Sequence, residues 1–560
     1  MKLTRLKAII PSWTGIGAAV LAAVLLILAF PDFEFWWLAW VALVPLLWAI
    51  EREKESTGRG FVLGWLFGTI FFFGTCWWLT FAPITYAGFP PVLAYFLLLI
   101  VCIAAGIFPA IFGGAMAFLL RRFGSIALLA APFVWVFTEF VRYWLTGNNW
   151  NAIGYSQAWN PFLIKSASVG GQSLAAFFVV ASNVSAAYGL IVMLQAFGLW
   201  TMVLASDAKG QGRTPGSFPF NDNKFSRGFK FFFSSLILIY ALWVATNLLG
   251  TQAVPDLIGG ESASIVALQP NVPMSGLTES KWHELRQRHV RLAESALAKL
   301  DRELTIDNRP QTTVIFPESP MNFMYETDVE SKAFIDSFAA KHNVNVLFNS
   351  AEPDAATGKF FNSAVLVGPK GGEIQQYDKI FLLPFGEAVP FPLDRIMPGF
   401  VGNFAYGSEY DLLPFGDAKG GIMICFESHF GQLSREYVRN GADVLIEMTN
   451  DGYLGNTPVL RQHLANAVFR AVETNRPVLR VTNVGISAYI TERGEVKDAA
   501  PVYREDTRLW TVSKSDGSQT LYVKYGDWFA WLCTIITIGL VGFGWFMRPN
   551  GYSNNDQKSK

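Results

Sequence analysis

From Phe61 to Leu120 the chain carries not one Asp, Glu, Lys or Arg. A membrane-spanning helix needs about 20 predominantly apolar residues, so this stretch is too long for any single buried helix. Gly88, Phe89, Pro90 and Pro91 break it into two, since proline cannot continue a helix and glycine favours turns. The whole composition agrees. Of 560 residues 52% are hydrophobic and 16% are charged, against about 25% charged in a soluble domain. Reading outward from such breaks predicts eight spans, near 11–30, 34–50, 60–80, 92–120, 125–145, 166–200, 230–250 and 526–547. The apolar run after Lys2, Arg5 and Lys7 reads as an anchor rather than a cleaved signal, because further spans follow directly.

Cations set the expected orientation, because cytoplasmic loops carry the excess of Lys and Arg. They gather in alternate loops: Arg52, Lys54 and Arg59; Arg121 and Arg122; Lys209, Arg213, Lys224, Arg227 and Lys230; then Arg548, Lys558 and Lys560. The opposite loops are nearly bare, which predicts both termini in the cytoplasm and a large segment between spans seven and eight outside. Formal net charge is zero, so no global charge argues for a nucleic-acid partner. Trp36, Trp37, Trp40, Trp77, Trp78, Trp144 and Trp150 fall at predicted span ends, as an interfacial aromatic belt would. Glu139 and Arg142 lie three apart on one helical face, readable as a structural ion pair or as a lipid-headgroup contact.

From about Ser262 the texture changes to short buried-strand patterns separated by polar helical stretches. Ser264–Leu268, Thr313–Phe316, Asn343–Phe348, Ser363–Val367, Glu373–Tyr377, Gly421–Cys425, Asp443–Glu447 and Pro477–Thr482 read as strands. Thr278–Arg302 and a stretch around 459–474 read as helices. The expected division is a seven-span bundle over 1–250, an α/β domain over 251–525, an eighth span at 526–547 and a tail over 548–560. Residues 203–228 read as a cytoplasmic loop, and the tail as polar and disordered.

Four cysteines cannot staple a chain of this length. Cys76, Cys102 and Cys533 lie in apolar runs, which leaves Cys425 alone in the polar part. It closes a buried strand and opens a turn, the junction that exposes a nucleophile beside a backbone N–H. Glu318, in Phe316-Pro317-Glu318-Ser319-Pro320, also ends a strand, where a carboxylate could take a thiol proton. Lys379 follows Tyr377-Asp378 and leads into Leu383-Pro384-Phe385-Gly386-Glu387. A fixed ammonium there could lower a thiol pKa and stabilise an oxyanion. Each residue alone has an ordinary explanation as packing or surface. His283, His289, His342 and His463 are scattered without metal-ligand spacing, and His429 is not expected to pair with Cys425.

Together the Phe-Pro-Glu-Ser, Tyr-Asp-Lys…Leu-Pro-Phe-Gly-Glu and Ile-Cys-Phe-Glu segments resemble the nitrilase superfamily, which implies an αββα sandwich and a Glu–Lys–Cys triad. By position Glu318 would be the general base, Lys379 the oxyanion-stabilising cation and Cys425 the nucleophile. The resemblance further implies support from Glu387, Glu427 and Phe426, with Glu387 and Glu427 both holding Lys379 charged. Eight spans with such a domain before the last are similar to the apolipoprotein N-acyltransferase family. Gly154-Tyr155-Ser156-Gln157, Thr449 to Gly455 and Arg470 to Ser487 agree with it. Tyr453 stands where tryptophan is expected in many relatives.

That resemblance implies a bacterial inner-membrane enzyme, its catalytic domain periplasmic. It would move an acyl chain from a phospholipid, through a Cys425 thioester, to the N-terminal amine of an S-diacylglyceryl-cysteine apolipoprotein. No cofactor or metal is implied, and a monomer is expected. Tyr453, Phe400 and Phe404, in apolar loops around 395–406 and 453–460, are the expected acyl-chain contacts, serving to keep the site dry. Two rivals stand beside it. One is a membrane-tethered amidase of the same superfamily; the other is a transporter with a degenerate outer domain, against which the spans show few charges and no internal repeat.

Overall fold

The structure, a computed structural model, describes residues 9–207, 223–251, 261–303, 311–320, 323–371, 374–384, 386–389 and 404–546. Most of the predicted loop at 203–228, and the tail, lie outside these. The chain divides into two compact units. One comprises Met1–Gln157, Gln172–Leu248 and Asp527–Lys560; the other comprises Ala158–Gly171 and Leu249–Gly526.

The first unit is helical. Trp13–Leu28 begins where the Ser12 hydroxyl accepts from the Gly15 N–H, and Thr57–Thr75 begins in the same way at Ser56. Thr57–Thr75 presents Gly60, Gly64 and Gly68 to the helix Ile107–Phe123 and the break before it. A Cβ at Gly64 would lie 2.1 Å from the Pro109 carbonyl oxygen, and one at Gly60 would lie 2.5 Å from that of Gly113. Such close backbone approach replaces the hydrophobic drive that helices lack in lipid. The short turn Ile153–Gln157 is buried; Gln157 accepts from Trp40 Nε1 at 2.9 Å and donates to the Trp36 carbonyl at 3.0 Å.

Several predicted spans are subdivided. The stretch at 92–120 is two helices, Pro91–Ala105 and Ile107–Phe123, separated at Gly106. That at 34–50 is a turn, Trp36–Trp40, and a nine-residue helix, Val44–Arg52. Among the described residues three helical stretches are long and apolar enough to cross a membrane: Pro91–Thr146, Ala167–Leu194 and Trp528–Phe546. The count is four if the bent pair Thr57–Thr75 and Trp77–Thr85 is one span. The tryptophans divide as well. Trp37 and Trp144 are exposed, whereas Trp78 is buried against Trp150. Glu139 and Arg142 are both buried. Glu139 accepts from Trp135 Nε1 and the Ile153 N–H, each at 2.9 Å. Arg142 donates to Asn149 at 2.8 Å and lies over the Phe72 ring.

The second unit is built on two sheets. Its strands are β1 Glu261–Gln269, β2 Gln311–Ile315, β3 Asn345–Asp354, β4 Lys359–Val367, β5 Ile374–Asp378, β6 Phe404–Ala405, β7 Leu412–Phe415, β8 Ala418–Ile424, β9 Val444–Thr449, β10 Val478–Thr482, β11 Ala488–Ile490, β12 Val496–Lys497 and β13 Asp506–Ser513. One sheet runs β13-β1-β2-β3-β4-β5, with β6 on β4; the other runs β12-β11-β10-β9-β8-β7. The sheets meet through β1 with β10, β4 with β8 and β5 with β7. Glu279–Glu303 and Val329–His342 cover the first sheet, and Gly431–Arg439 and Val459–Thr474 cover the second. That is the expected αββα layering. Asp328 caps Val329–His342, which stops at Asn343 in the left-handed region.

Behind β2 the core includes Val314, Phe316, Phe323, Phe338 and Phe348, and His289 rests on Phe316 at 5.0 Å. Its Nδ1 faces the Leu285 carbonyl at 2.8 Å, while Nε2 is buried without a hydrogen-bond partner among the described residues. Burial holds this imidazole down to about 4. Below the ordinary value near 6.5 the unfolded chain gains a proton that the folded chain refuses, so stability is full above pH 6.5 and falls as pH drops toward 4. The loss is on the order of 3 kcal/mol. Melting curves across that range are expected to show it, with a shallower acid fall in His289→Phe; equal slopes would refute the assignment.

Candidate active site

Two strand ends and two turns converge between the sheets. Cys425 directly follows β8, as the first residue of a 3₁₀ turn, Cys425–His429, rather than as the last residue of the strand. Its φ is +53°, a left-handed conformation rare for a side-chain-bearing residue and costing about 1–3 kcal/mol. Glu318 lies three residues past β2, and Lys379 directly after β5.

Lys379 is 1% exposed, with its Nζ 2.8 Å from each Glu387 carboxylate oxygen. Burial would lower this ammonium, but Glu387 and then Glu318 reverse that and hold it far above the ordinary lysine range. Burial would raise Glu387, yet Lys379 and the Leu383 N–H, at 2.7 Å, keep it below the usual carboxylate value. Glu318 differs. Burial raises its carboxyl and Lys379 offsets this only in part; its oxygens accept from Asn362 Nδ2 at 3.3 Å and the Asn450 N–H at 3.1 Å. The Cys425 thiol is pushed well up by burial and by Glu318, against the pull of Lys379. In the resting site the ammonium therefore has its own counter-ion in Glu387. Glu318 is held by weaker donors, and its carboxyl stays above the usual carboxylate value.

Glu427 adds to the charge that raises Lys379 and also makes a set of bonds of its own. Its Oε1 accepts from Tyr377 Oη at 2.8 Å and from the Ile380 and Phe381 N–H groups at 2.8 and 3.0 Å, and its Oε2 from the Ile424 N–H at 2.8 Å. It pins the turn carrying Lys379 to the turn carrying Cys425, and acts on the ammonium only through its charge. Burial raises this carboxyl to about 7, against those donors and Lys379. Phe426 stacks on His429 and meets Phe430 edge-on. Tyr453 is 48% exposed at the tip of the turn Asp451–Leu454, and Phe404 is half-buried in β6. Phe400 and most of the loop at 395–406 lie outside the described residues.

Sequence reading missed Asn362. Its amide NH₂ spans Glu318 and Glu387, at 3.3 and 2.6 Å, while its carbonyl accepts from Asn349 Nδ2 at 2.6 Å. It also missed four buried charges behind Cys425: Glu447, Asp451, His463 and Arg480. Polar side chains inside otherwise apolar strands, Glu447 in β9 and Arg480 in β10, were the available signal, since buried charge needs a partner.

Comparison with known proteins places this geometry. Residues 22–185 match the family described as apolipoprotein N-acyltransferase N-terminal domain, and residues 267–520 match carbon-nitrogen hydrolase. An apolipoprotein N-acyltransferase of Geobacter metallireducens is 30% identical over 527 residues, 92% of each chain. The chain belongs to the apolipoprotein N-acyltransferase family. Relatives from Pasteurella multocida and Treponema denticola are 25% and 28% identical, covering 95% and 93% of this chain and 95% and 94% of theirs. Among solved structures a carbon-nitrogen hydrolase from Helicobacter pylori covers 48% of this chain and 94% of its own, with 18% identity and a TM-score of 0.35. In this apolipoprotein N-acyltransferase family member the second unit coincides with the carbon-nitrogen hydrolase match, and Cys425, Lys379 and Glu318 all fall inside it.

Proposed function

We propose that this protein acylates the N-terminal amine of diacylglyceryl apolipoproteins from membrane phospholipid, with Cys425 as nucleophile, Glu318 as general acid–base and Lys379 as oxyanion stabiliser. The observation that carries the roles is the unequal treatment of two carboxylates. Glu387 is committed to Lys379, whereas Glu318 is raised by burial beside a protonated thiol. Environments that push paired carboxylates apart mark base and counter-ion.

In the first half-reaction Glu318 takes the thiol proton as Cys425 Sγ attacks the ester carbonyl carbon. Lys379 neutralises the oxyanion of the tetrahedral adduct. Collapse breaks the ester C–O bond, and the departing lysophospholipid oxygen takes the proton from Glu318. In the second, Glu318 accepts a proton from the attacking α-amine, the C–S bond breaks, and that proton returns to the thiolate. Splitting the transfer in two lowers each barrier, and a dry site favours the amine over water. Tyr453, Phe404 and Phe400 are assigned to the acyl chain. The bundle is assigned eight spans (seven over 1–250 and one at 526–547), with domain 251–525 periplasmic and both termini cytoplasmic, on the strength of the alternating cationic loops. The protein acts as a monomer in the inner membrane.

The test is intact-mass spectrometry after incubation with phosphatidylethanolamine vesicles. Wild type is expected to gain a hydroxylamine-labile acyl mass and Cys425→Ala none; adding a diacylglyceryl peptide should discharge it as an amide. No adduct and no acylated peptide would remove the acyltransferase reading and send the site to small amides.

A further inference from the structure

Immediately behind the nucleophile lies a closed set of four charges that the proposed chemistry does not use. His463, on the helix Val459–Thr474, places Nδ1 2.8 Å from Asp451 Oδ1 and Nε2 3.1 Å from the backbone carbonyl oxygen of Cys425. Glu447, from β9, puts Oε1 3.1 Å from the same Nε2, though the hydrogen-bond geometry favours the Cys425 carbonyl. Arg480, from β10, pairs with Glu447 and, at 2.8 Å, with Asp451. All four are buried.

Two arguments fix the protonation of His463. A carbonyl oxygen and an ionised carboxylate can only accept, so both ring nitrogens must donate. Two carboxylates and one guanidinium also leave an excess negative charge that only an imidazolium neutralises, and uncompensated charge at this depth is costly. The electrostatics agree. Burial and Arg480 would lower the imidazole, but Asp451 and Glu447 raise it to about 9, and Asp451 itself is held down to about 2.

What this cage grips is the carbonyl of Cys425, whose backbone is left-handed and whose thiol feels the charges of Glu318 and Lys379. We infer that His463 is a positioning residue for the nucleophile: as an imidazolium it anchors the Cys425 carbonyl and thereby the strained turn that presents the thiol. The inference rests on the assignment of Cys425 as nucleophile. Losing the proton removes the donor to Cys425 and unbalances the cage, so turnover should fall as pH rises through the imidazolium's own titration.

The experiment measures peptide acylation against pH for full-length protein in phosphatidylethanolamine vesicles, comparing wild type, His463→Gln and Glu447→Gln, with a melting curve for each. Wild type should lose activity over a one-proton limb centred near pH 9. Glu447→Gln leaves both hydrogen bonds of His463 in place but removes a negative charge, and should move that limb down by about one pH unit or more. His463→Gln should lack the limb and run about tenfold slower or worse at neutral pH, as small misplacement of a reacting group does. If His463→Gln does not fold, Glu447→Gln decides. A limb that stays put in Glu447→Gln, with only the melting temperature changed, overturns the inference and leaves His463 a structural ion pair. Absence of any acyl adduct on wild-type Cys425 overturns the nucleophile assignment beneath it as well.

Discussion

Lys379→Met is expected to slow acyl-enzyme formation by about 10²–10³ and to lower stability by about 3–5 kcal/mol, the usual result of removing one partner of a buried ion pair. The side chain is 1% exposed and its Nζ contacts both oxygens of Glu387. Without it, Glu387 keeps, among the described residues, the Asn362 and Leu383 donors. The chemical loss adds to this, because an oxyanion deprived of its stabilising group costs about 10²–10³ in rate. Adduct mass and melting temperature, read on the same preparation, check both halves. The pair Lys379→Met with Glu387→Gln should recover much of the stability and none of the acylation. A single variant that acylates within about tenfold of wild type would sink the oxyanion role.

Glu318→Gln should behave in the opposite way. Its carboxyl is already strained toward the neutral form by burial; the Asn362 and Asn450 donors meet different oxygens, so the amide keeps one of these two bonds while a buried charge is removed. Folding should therefore hold, with an unchanged or slightly higher melting temperature. Acylation should fall by about 10²–10⁴, the range assigned to a lost general base. Since the carboxylate must be ionised to act and its folded value lies above the ordinary 4.5, wild-type acylation should decline on the acid side at a midpoint above that figure. Acid-limb titration of the wild type, beside single-turnover acylation of the variant, is the measurement. A Glu318→Gln enzyme of near-normal rate would move the base elsewhere.

The parts of this molecule legible in its sequence are those with a local signature. Gly421–Cys425 and Asp443–Glu447 read as buried strands because consecutive apolar residues leave no other economical fold, and β8 and β9 fall within three residues of those bounds. The strand β13 was not foreseen: Asp506–Ser513 is a half-exposed edge strand, and its place beside β1 is set by a partner over two hundred residues away. The same distinction runs through the site. Glu318, Lys379 and Cys425 stand at strand ends within recognisable segments. Asn362, by contrast, matters through two carboxylates 44 and 25 positions away, and no spacing rule brings those together. Glu427 was foreseen as a charge near Lys379, which it is; its four donors, backbone groups and a phenol that sequence patterns do not align, were not foreseen. In the helical unit the apolar stretches and the break at Gly88–Pro91, after which the helix Pro91–Ala105 begins, were legible, but the interruption at Gly106 inside a wholly apolar run was not.

The Glu427 bonds also bear on when the proposed chemistry could begin. Tyr377, Ile380 and Phe381 belong to one sheet and its following turn, Ile424 to the other, and the sequence separations across the clamp are 46 to 50 residues. Contacts of that range form late, after the entropy of closing the intervening chain has been met. Until then, on the proposed roles, neither half holds a competent thiol: one has Lys379 without Cys425, the other Cys425 without Lys379. A newly made chain is therefore expected to sit among membrane esters without attacking them, and to become competent only with the completed domain.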